Sequence, residues 1–189
     1  RSDESRRYVV PSAPGKRFSA DTKVTDLLYA CYDKAEAGED FSDILTEIKS
    51  RFYEIIKGLN LDLSLEEEFR QIEADFKAHA GNEYAASRGE FLNGKVMAAY
   101  LGYEFIDSAT VIRFDKNGNF DADKTDKLLT KRLQKCERAV IPGFYGGMED
   151  GTVKTFSRGG SDVTGSLVAK AIHADIYENW ADVSGFLVT

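Results

Sequence analysis

Phe156-Ser157-Arg158-Gly159-Gly160-Ser161-Asp162-Val163-Thr164 is the stretch on which the reading of this chain turns. The residues before it, Val153-Lys154-Thr155, read as a strand running into Phe156. The residues after it, 162–173, are mostly small and apolar and read as a helix. A strand, a glycine turn and a helix start, in that order, bring unbonded N–H groups to a strand end, where anions bind. Arg158 offers a planar fork for a carboxylate or a phosphate. The glycines let a ligand approach the backbone, and Asp162 can orient an ammonium group. Together these groups suit an amino-acid zwitterion. They suit equally a tight turn in which Ser161 or Asp162 caps the helix.

On either side, strands and helices alternate. Residues 139–142 read as a buried strand and 143–147 as a glycine-rich loop. Residues 105–107 and 111–114 read as short strands, and Asn117-Gly118 marks a loop tip between 115 and 121. Ile44, Leu45, Ile48, Phe52, Ile55 and Ile56 make a helical stripe over 41–57; Leu65, Phe69, Ile72 and Phe76 make another over 65–80. Thr25 and Asp26 start a helix through Leu27, Leu28 and Cys31, and 121–135 is a charged surface helix. Ser87-Arg88-Gly89-Glu90 reads as a turn opening a helix over 89–101, whose Gly94, Ala98 and Ala99 permit close packing. The first strand covers 8–11 and the last 176–180. This alternation predicts an α/β fold, a three-layer α/β/α sandwich, as one domain spanning 1–189, with ligands at loops beyond the strand ends.

Composition narrows the function. The chain has 189 residues, 42% hydrophobic and 30% charged, which fits a folded domain rather than a disordered one. A net charge of −7 without a basic stripe argues against nucleic acid as a partner. No apolar run approaches the ~20 residues of a membrane span. Cys31 and Cys136 lack metal spacing, and His79 and His173 read as helix residues without a second ligand, so no metal site is expected and a cytoplasmic setting is. There is no P-loop, dinucleotide fingerprint or nucleophile elbow. The chain opens on Arg1 and stops just past its last strand, and is expected to be a segment of a longer polypeptide.

Three further segments carry candidate chemistry. Glu90 reads either as a ligand for an amine or as a surface acid favoured by the helix dipole. Val9-Val10-Pro11-Ser12-Ala13-Pro14-Gly15-Lys16 is a strand followed by a basic loop, which can touch a phosphate or simply connect. Trp180-Ala181-Asp182-Val183-Ser184-Gly185 places an acid past a strand end, for a ribose or for a turn.

These segments, in this order, resemble the aspartate kinase family of the amino-acid kinase superfamily. The matching elements are Arg158-Gly-Gly-Ser-Asp162, Ser87-x-Gly-Glu90, Val9-Val10-x-Ser12-Ala13 with Thr25-Asp26-x-Leu28, Trp180-Ala181-Asp182-Val183-x-Gly185 and Gly143-Phe144-x-Gly146. The resemblance implies a carbamate kinase-like fold. It also implies ATP-dependent phosphorylation of the β-carboxylate of L-aspartate to 4-phospho-L-aspartate, the first step toward lysine, threonine and methionine, with Mg2+ carried by the nucleotide. It implies an aspartate pocket of Thr25, Glu90, Arg158, Gly159, Gly160 and Ser161. Arg158 would grip the α-carboxylate, with Glu90 and Asp162 near the amino group. Ser12, near the transferred phosphate, and Asp162 would be the catalytic pair. Ala181, Asp182 and Leu187 match nucleotide contacts, and the parent protein would be a homo-oligomer. The chain departs from the pattern in four ways. It contains no Lys-Phe-Gly-Gly segment and no downstream regulatory domains. It has Ala181 for Thr and Leu187 for Tyr, and its connection from Ser12 to Thr25 is longer. The 189 residues alone are therefore expected to bind aspartate weakly and turn over little. The alternatives are another amino-acid kinase, or a non-catalytic ligand-binding fragment.

Overall fold

The computed structural model describes residues 3–157 and 159–180. Its frame is a parallel sheet of three short strands, β1 (Tyr8–Val9), β2 (Glu104–Phe105) and β3 (Ala139–Val140), in the order β1-β3-β2. Register places Tyr8 and Glu104 beside Ala139, and Val9 and Phe105 beside Val140. Side chains alternate along a strand, and the two parities go to different helices. Ala139 and Ile141, with Ile106, Tyr8 and Val10, join one core with Leu129, Leu133, Val168 and Ala171. These four belong to α6 (Ala122–Leu133) and α7 (Gly160–Ala171). Phe105, of the other parity, meets Phe91 of α4 (Asn82–Leu101) edge-on at 5.5 Å. Helices therefore cover both faces of an α/β sheet.

Outside α4 lies a second core built by α1 (Val24–Glu36), α2 (Ser42–Gly58) and α3 (Glu66–Lys77). Ile48, Phe52, Phe69, Ile72 and Phe76 of the predicted stripes are buried there, and Tyr32 meets Phe76 edge-on at 5.4 Å. Two antiparallel strands, β4 (Tyr145–Gly147) and β5 (Val153–Thr155), complete the described elements together with the short α5 (Ser108–Val111). No helix among the described residues is long and apolar enough to cross a membrane.

Several local expectations are corrected. Ser87-Arg88-Gly89-Glu90 is not a turn: α4 starts at Asn82 and all four residues are buried inside it. Gly89 serves packing, since a Cβ there would come within 2.8 Å of the Ala13 Cβ. Residues 145–147 are a strand rather than loop, and their glycines let β4 lie against the backbone of Ile112 and Ala109. Residues 108–111 are helical because the Asp107 carboxylate accepts from Ala109 N (3.0 Å) and caps the turn. Residues 176–180 form no strand; side-chain contacts hold them, among them Arg6 Nε to Glu178 at 2.6 Å. His79 and His173 sit just past helix ends with φ of 58° and 50°, the left-handed closing position usually taken by glycine. Asn117-Gly118 behaves as expected, with Phe114 and Phe120 bridged across the tip.

The long 12–22 connection is anchored by Arg51 of α2. Its guanidinium is buried, donates to Thr22 O and Gly15 O (both 2.8 Å), and lies 3.2 Å from Asp21. Asp21 also accepts from the backbone and side chain of Arg17, which holds its carboxyl well below the usual range. Arg51→Met leaves two carbonyls and part of a buried charge without donors. It is expected to lower stability by about 2–3 kcal/mol, read from the midpoint of urea unfolding.

Candidate active site

The parallel register brings the site together. Ala139 N, Ile141 N and Gly143 N donate in turn to Arg7 O, Val9 O and Pro11 O (2.9–3.0 Å). Ser12 and Gly143 therefore leave the sheet side by side, at the carboxyl ends of their strands. Gly143 lies so close to the start of α7 that a Cβ there would stand 2.7 Å from the Ser161 Cα. Gly160 is as tightly held, 2.9 Å from Phe144 Cα by the same construction. Phe144 itself has a φ of 79°, a conformation that costs a side-chain-bearing residue energy and recurs at functional sites.

α7 begins at Gly160 after Gly159, which has a φ of 59°, and no side chain caps it. The capping role expected for Ser161 or Asp162 is thus not used, and both lie in the first helical turn. Ser161 Oγ instead accepts from Ser12 Oγ at 2.8 Å, across 149 residues of sequence. An uncapped helix start keeps N–H groups for an anion.

On the other side of the Ser12–Ala13 corner stands α4. Asn93 Nδ2 donates to Ser12 O at 2.6 Å. Glu90 is 7% exposed, and its Oε2 is buried without any hydrogen-bond partner. Burial pushes the Glu90 carboxyl up to about 7, against the opposing pull of the Ala13 backbone N–H and the Arg88 guanidinium. A buried carboxylate oxygen without a donor is rare and calls for a ligand that supplies one. Thr25 is half-buried in the first turn of α1, between Val24 and the neighbourhood of Leu28, two side chains that face Gly89.

The Arg88 guanidinium lies among three rings, 4.3 Å from the centroid of Tyr84, 4.5 Å from Phe91 and 5.5 Å from Tyr145. It donates to Ser87 Oγ and Tyr84 O, so aromatic faces take much of its charge. The Tyr145 hydroxyl donates a hydrogen bond to Asp107 Oδ1 (2.8 Å), and its own ionisation is pushed far up by burial. Beside β1 runs a cleft of about 1270 Å³, with Ser12, Ser161 and Asp162 among its lining residues. Asp162 faces outward, where Asn179 Nδ2 donates to its Oδ1 at 3.1 Å. No group of three or more metal-ligating side chains occurs among the described residues.

The sequence model of the amino acid kinase family matches residues 4–189. The chain belongs to the amino acid kinase family. Among similar proteins, aspartokinase 3 of Bacillus subtilis is 37% identical over 197 residues, covering 96% of this chain and 43% of the relative. The crystal structure of Clostridium acetobutylicum aspartate kinase superposes with a TM-score of 0.94 at 50% identity, over 98% of this chain and 43% of that one. Escherichia coli aspartokinase III, in complex with aspartate and ADP, gives 0.72 at 27% identity, over 92% of this chain and 42% of that one. The chain thus spans less than half the length of these relatives. The amino acid kinase fold is established by these matches.

Of the residues picked out from sequence, Ser12 and Ser161 are in contact, and Gly159, Gly160 and Asp162 share the same turn. Glu90 reaches them through the Ser12–Ala13 corner. Arg158, Ala181, Asp182 and Leu187 lie outside the described residues. Asn93 and the Arg88 cage were not anticipated. Asn93 had a readable signal, three residues after Glu90 and so on its face of the helix. Two of the Arg88 rings had the same signal, Tyr84 four residues before it and Phe91 three after, while Tyr145 meets it from across the fold.

Proposed function

We propose that the chain carries the amino-acid-binding part of an aspartate kinase, which uses ATP to phosphorylate the β-carboxylate of L-aspartate. The observation that carries this reading is the pairing of the uncapped α7 start with Glu90, whose buried Oε2 has no donor, across one shared corner. One end suits the α-carboxylate and the other the α-ammonium of a zwitterion. Arg158, by the family pattern, grips the α-carboxylate from the turn before α7, and Thr25 closes the α1 side. Similarity to aspartokinases, one of them crystallised with aspartate and ADP, supports this choice of substrate and nucleotide.

The nucleophile is already an anion, so no general base is needed. The work is alignment with the γ-phosphate and neutralisation of two repelling anions. Ser12, at the mouth of β1, is assigned to the transferred phosphate on the family pattern. Mg2+ carried by the nucleotide would supply charge neutralisation there. Ala181, Asp182 and Leu187 are assigned to the nucleotide on the family pattern, Asp162 to ordering the centre, and the complete protein to a cytoplasmic homo-oligomer.

Calorimetric titration of L-aspartate into the complete protein tests the reading. Arg158→Ala is expected to weaken binding by about ten- to hundredfold, the loss of a charge-assisted bond. Binding of L-glutamate or another carboxylate in preference to aspartate would move the protein to a sister kinase.

A further inference from the structure

We infer that Glu83 is a positioning residue for the amino-acid pocket, clamping the strand that feeds the 159–161 turn to the helix that carries Glu90. The inference rests on the proposed function for its substrate and on geometry for the clamp. A single oxygen, Glu83 Oε1, takes three donors from the end of β5: Lys154 Nζ at 2.8 Å, Thr155 Oγ1 at 3.2 Å and Thr155 N at 3.4 Å. Thr155 is the last residue of β5 and pairs with Tyr145 of β4. The next residue, Phe156, donates its N–H to Phe144 O at 2.9 Å, and Phe144 and Phe156 together back Gly160. Moving Thr155 therefore moves the start of α7.

The helix supplies the ruler. Glu83, Glu90 and Asn93 stand at i, i+7 and i+10 on one face of α4. The two outer members each hold a wall of the site: Glu83 holds β5, and Asn93 holds the carbonyl of Ser12, whose hydroxyl meets Ser161. The middle member, Glu90, keeps one oxygen without a partner. That arrangement fixes the gap between Glu90 and the α7 start at a set width. The Glu83 and Lys154 side chains are 39% and 33% exposed, and an ion pair that open contributes little to stability. Its three-fold convergence on one oxygen acts on geometry instead. A shift of an ångström in a pocket wall is enough to lose substrate alignment.

In the complete enzyme, Glu83→Ala is expected to raise the KM for L-aspartate about tenfold or more, with kcat and the KM for ATP changing less than about threefold. Glu83→Gln keeps an acceptor for Thr155 and is expected to restore a KM within about threefold of the original. Hydrogen exchange of the 153–165 segment, in the ligand-free protein, should quicken in Glu83→Ala and not in Glu83→Gln. A lowered melting temperature with unchanged KM, or unchanged exchange in Glu83→Ala, overturns the inference. Should Glu83→Ala fail to fold, Thr155→Val removes one donor without touching the helix; a Thr155→Val protein with unaltered KM and exchange overturns it as well. If the original enzyme neither binds nor uses aspartate, the proposed function fails on its own, and the exchange result still decides whether the clamp exists.

Discussion

Glu90→Gln is expected to weaken L-aspartate binding by about ten- to hundredfold at pH 8, and to leave the remaining affinity flat with pH. In the original protein the Glu90 carboxyl, pushed up to about 7 by burial, must lose its proton to receive the substrate ammonium. Affinity should therefore rise by up to about tenfold per pH unit below 7 and level off above it. Gln cannot ionise, so the slope disappears with the charge. Folding stability should move the opposite way. A carboxyl whose folded pKa lies above its unfolded value of 4.5 has its stabilising effect fully present below 4.5, and loses it as pH rises through about 7. Above pH 7 the original protein thus bears a buried charge that Glu90→Gln lacks. The variant should be more stable there by about 3 kcal/mol, with the gap closing toward pH 4.5. Urea unfolding and calorimetry across pH 5–8 read both effects on the same samples. Equal pH slopes in the two proteins, or a variant less stable at pH 8, would sink the assignment of Glu90 as a charge held ready for a ligand.

The second large effect is expected at Gly143. A methyl group there would stand 2.6 Å from the Ser161 Cβ and 2.7 Å from its Cα, so the α7 start must shift rather than a flexible side chain. Gly143→Ala is expected to cost about 2–3 kcal/mol of stability, and to abolish measurable aspartate binding because the Ser12–Ser161 contact cannot survive the shift. Gly58→Ala is the matched control. It sits in α2 with open space around it and should be neutral or stabilising by up to about 1 kcal/mol. Thermal melts of the two variants separate a packing effect from a general intolerance of substitution, and a Gly143→Ala protein that melts and binds like the original would refute the close approach.

These two residues differ in how far the sequence announces them. Glu90 is visible as a candidate beside a glycine, but its context is not: Gly89, which has the signature of a turn marker, is a packing residue inside a long helix. Turn and close-contact glycines have the same local signature, and only the neighbour, here Ala13, separates them. Gly143 was visible as part of a glycine-rich loop. Its role against Ser161 was not, because the two residues meet only where the chain leaving β3 packs on the start of α7. The 145–147 segment behaves the same way: its glycines carry a loop signature, yet they let a strand lie on backbone.

The sequence by itself determined the class of the fold, the two amphipathic helices, observed at Ser42–Gly58 and Glu66–Lys77, and, through its ordered motifs, the resemblance that the comparisons then bore out. Each of these rests on local chemistry: periodic apolar residues, and short motifs read in order along the chain. The tertiary structure alone decided that Ser12 touches Ser161, that Asn93 holds the same corner, that Tyr145 closes the ring cage of Arg88, and that Glu90 Oε2 is left buried without a donor. Those are contacts between segments tens of residues apart, and Glu90's protonation depends on solvent removed by all of them together.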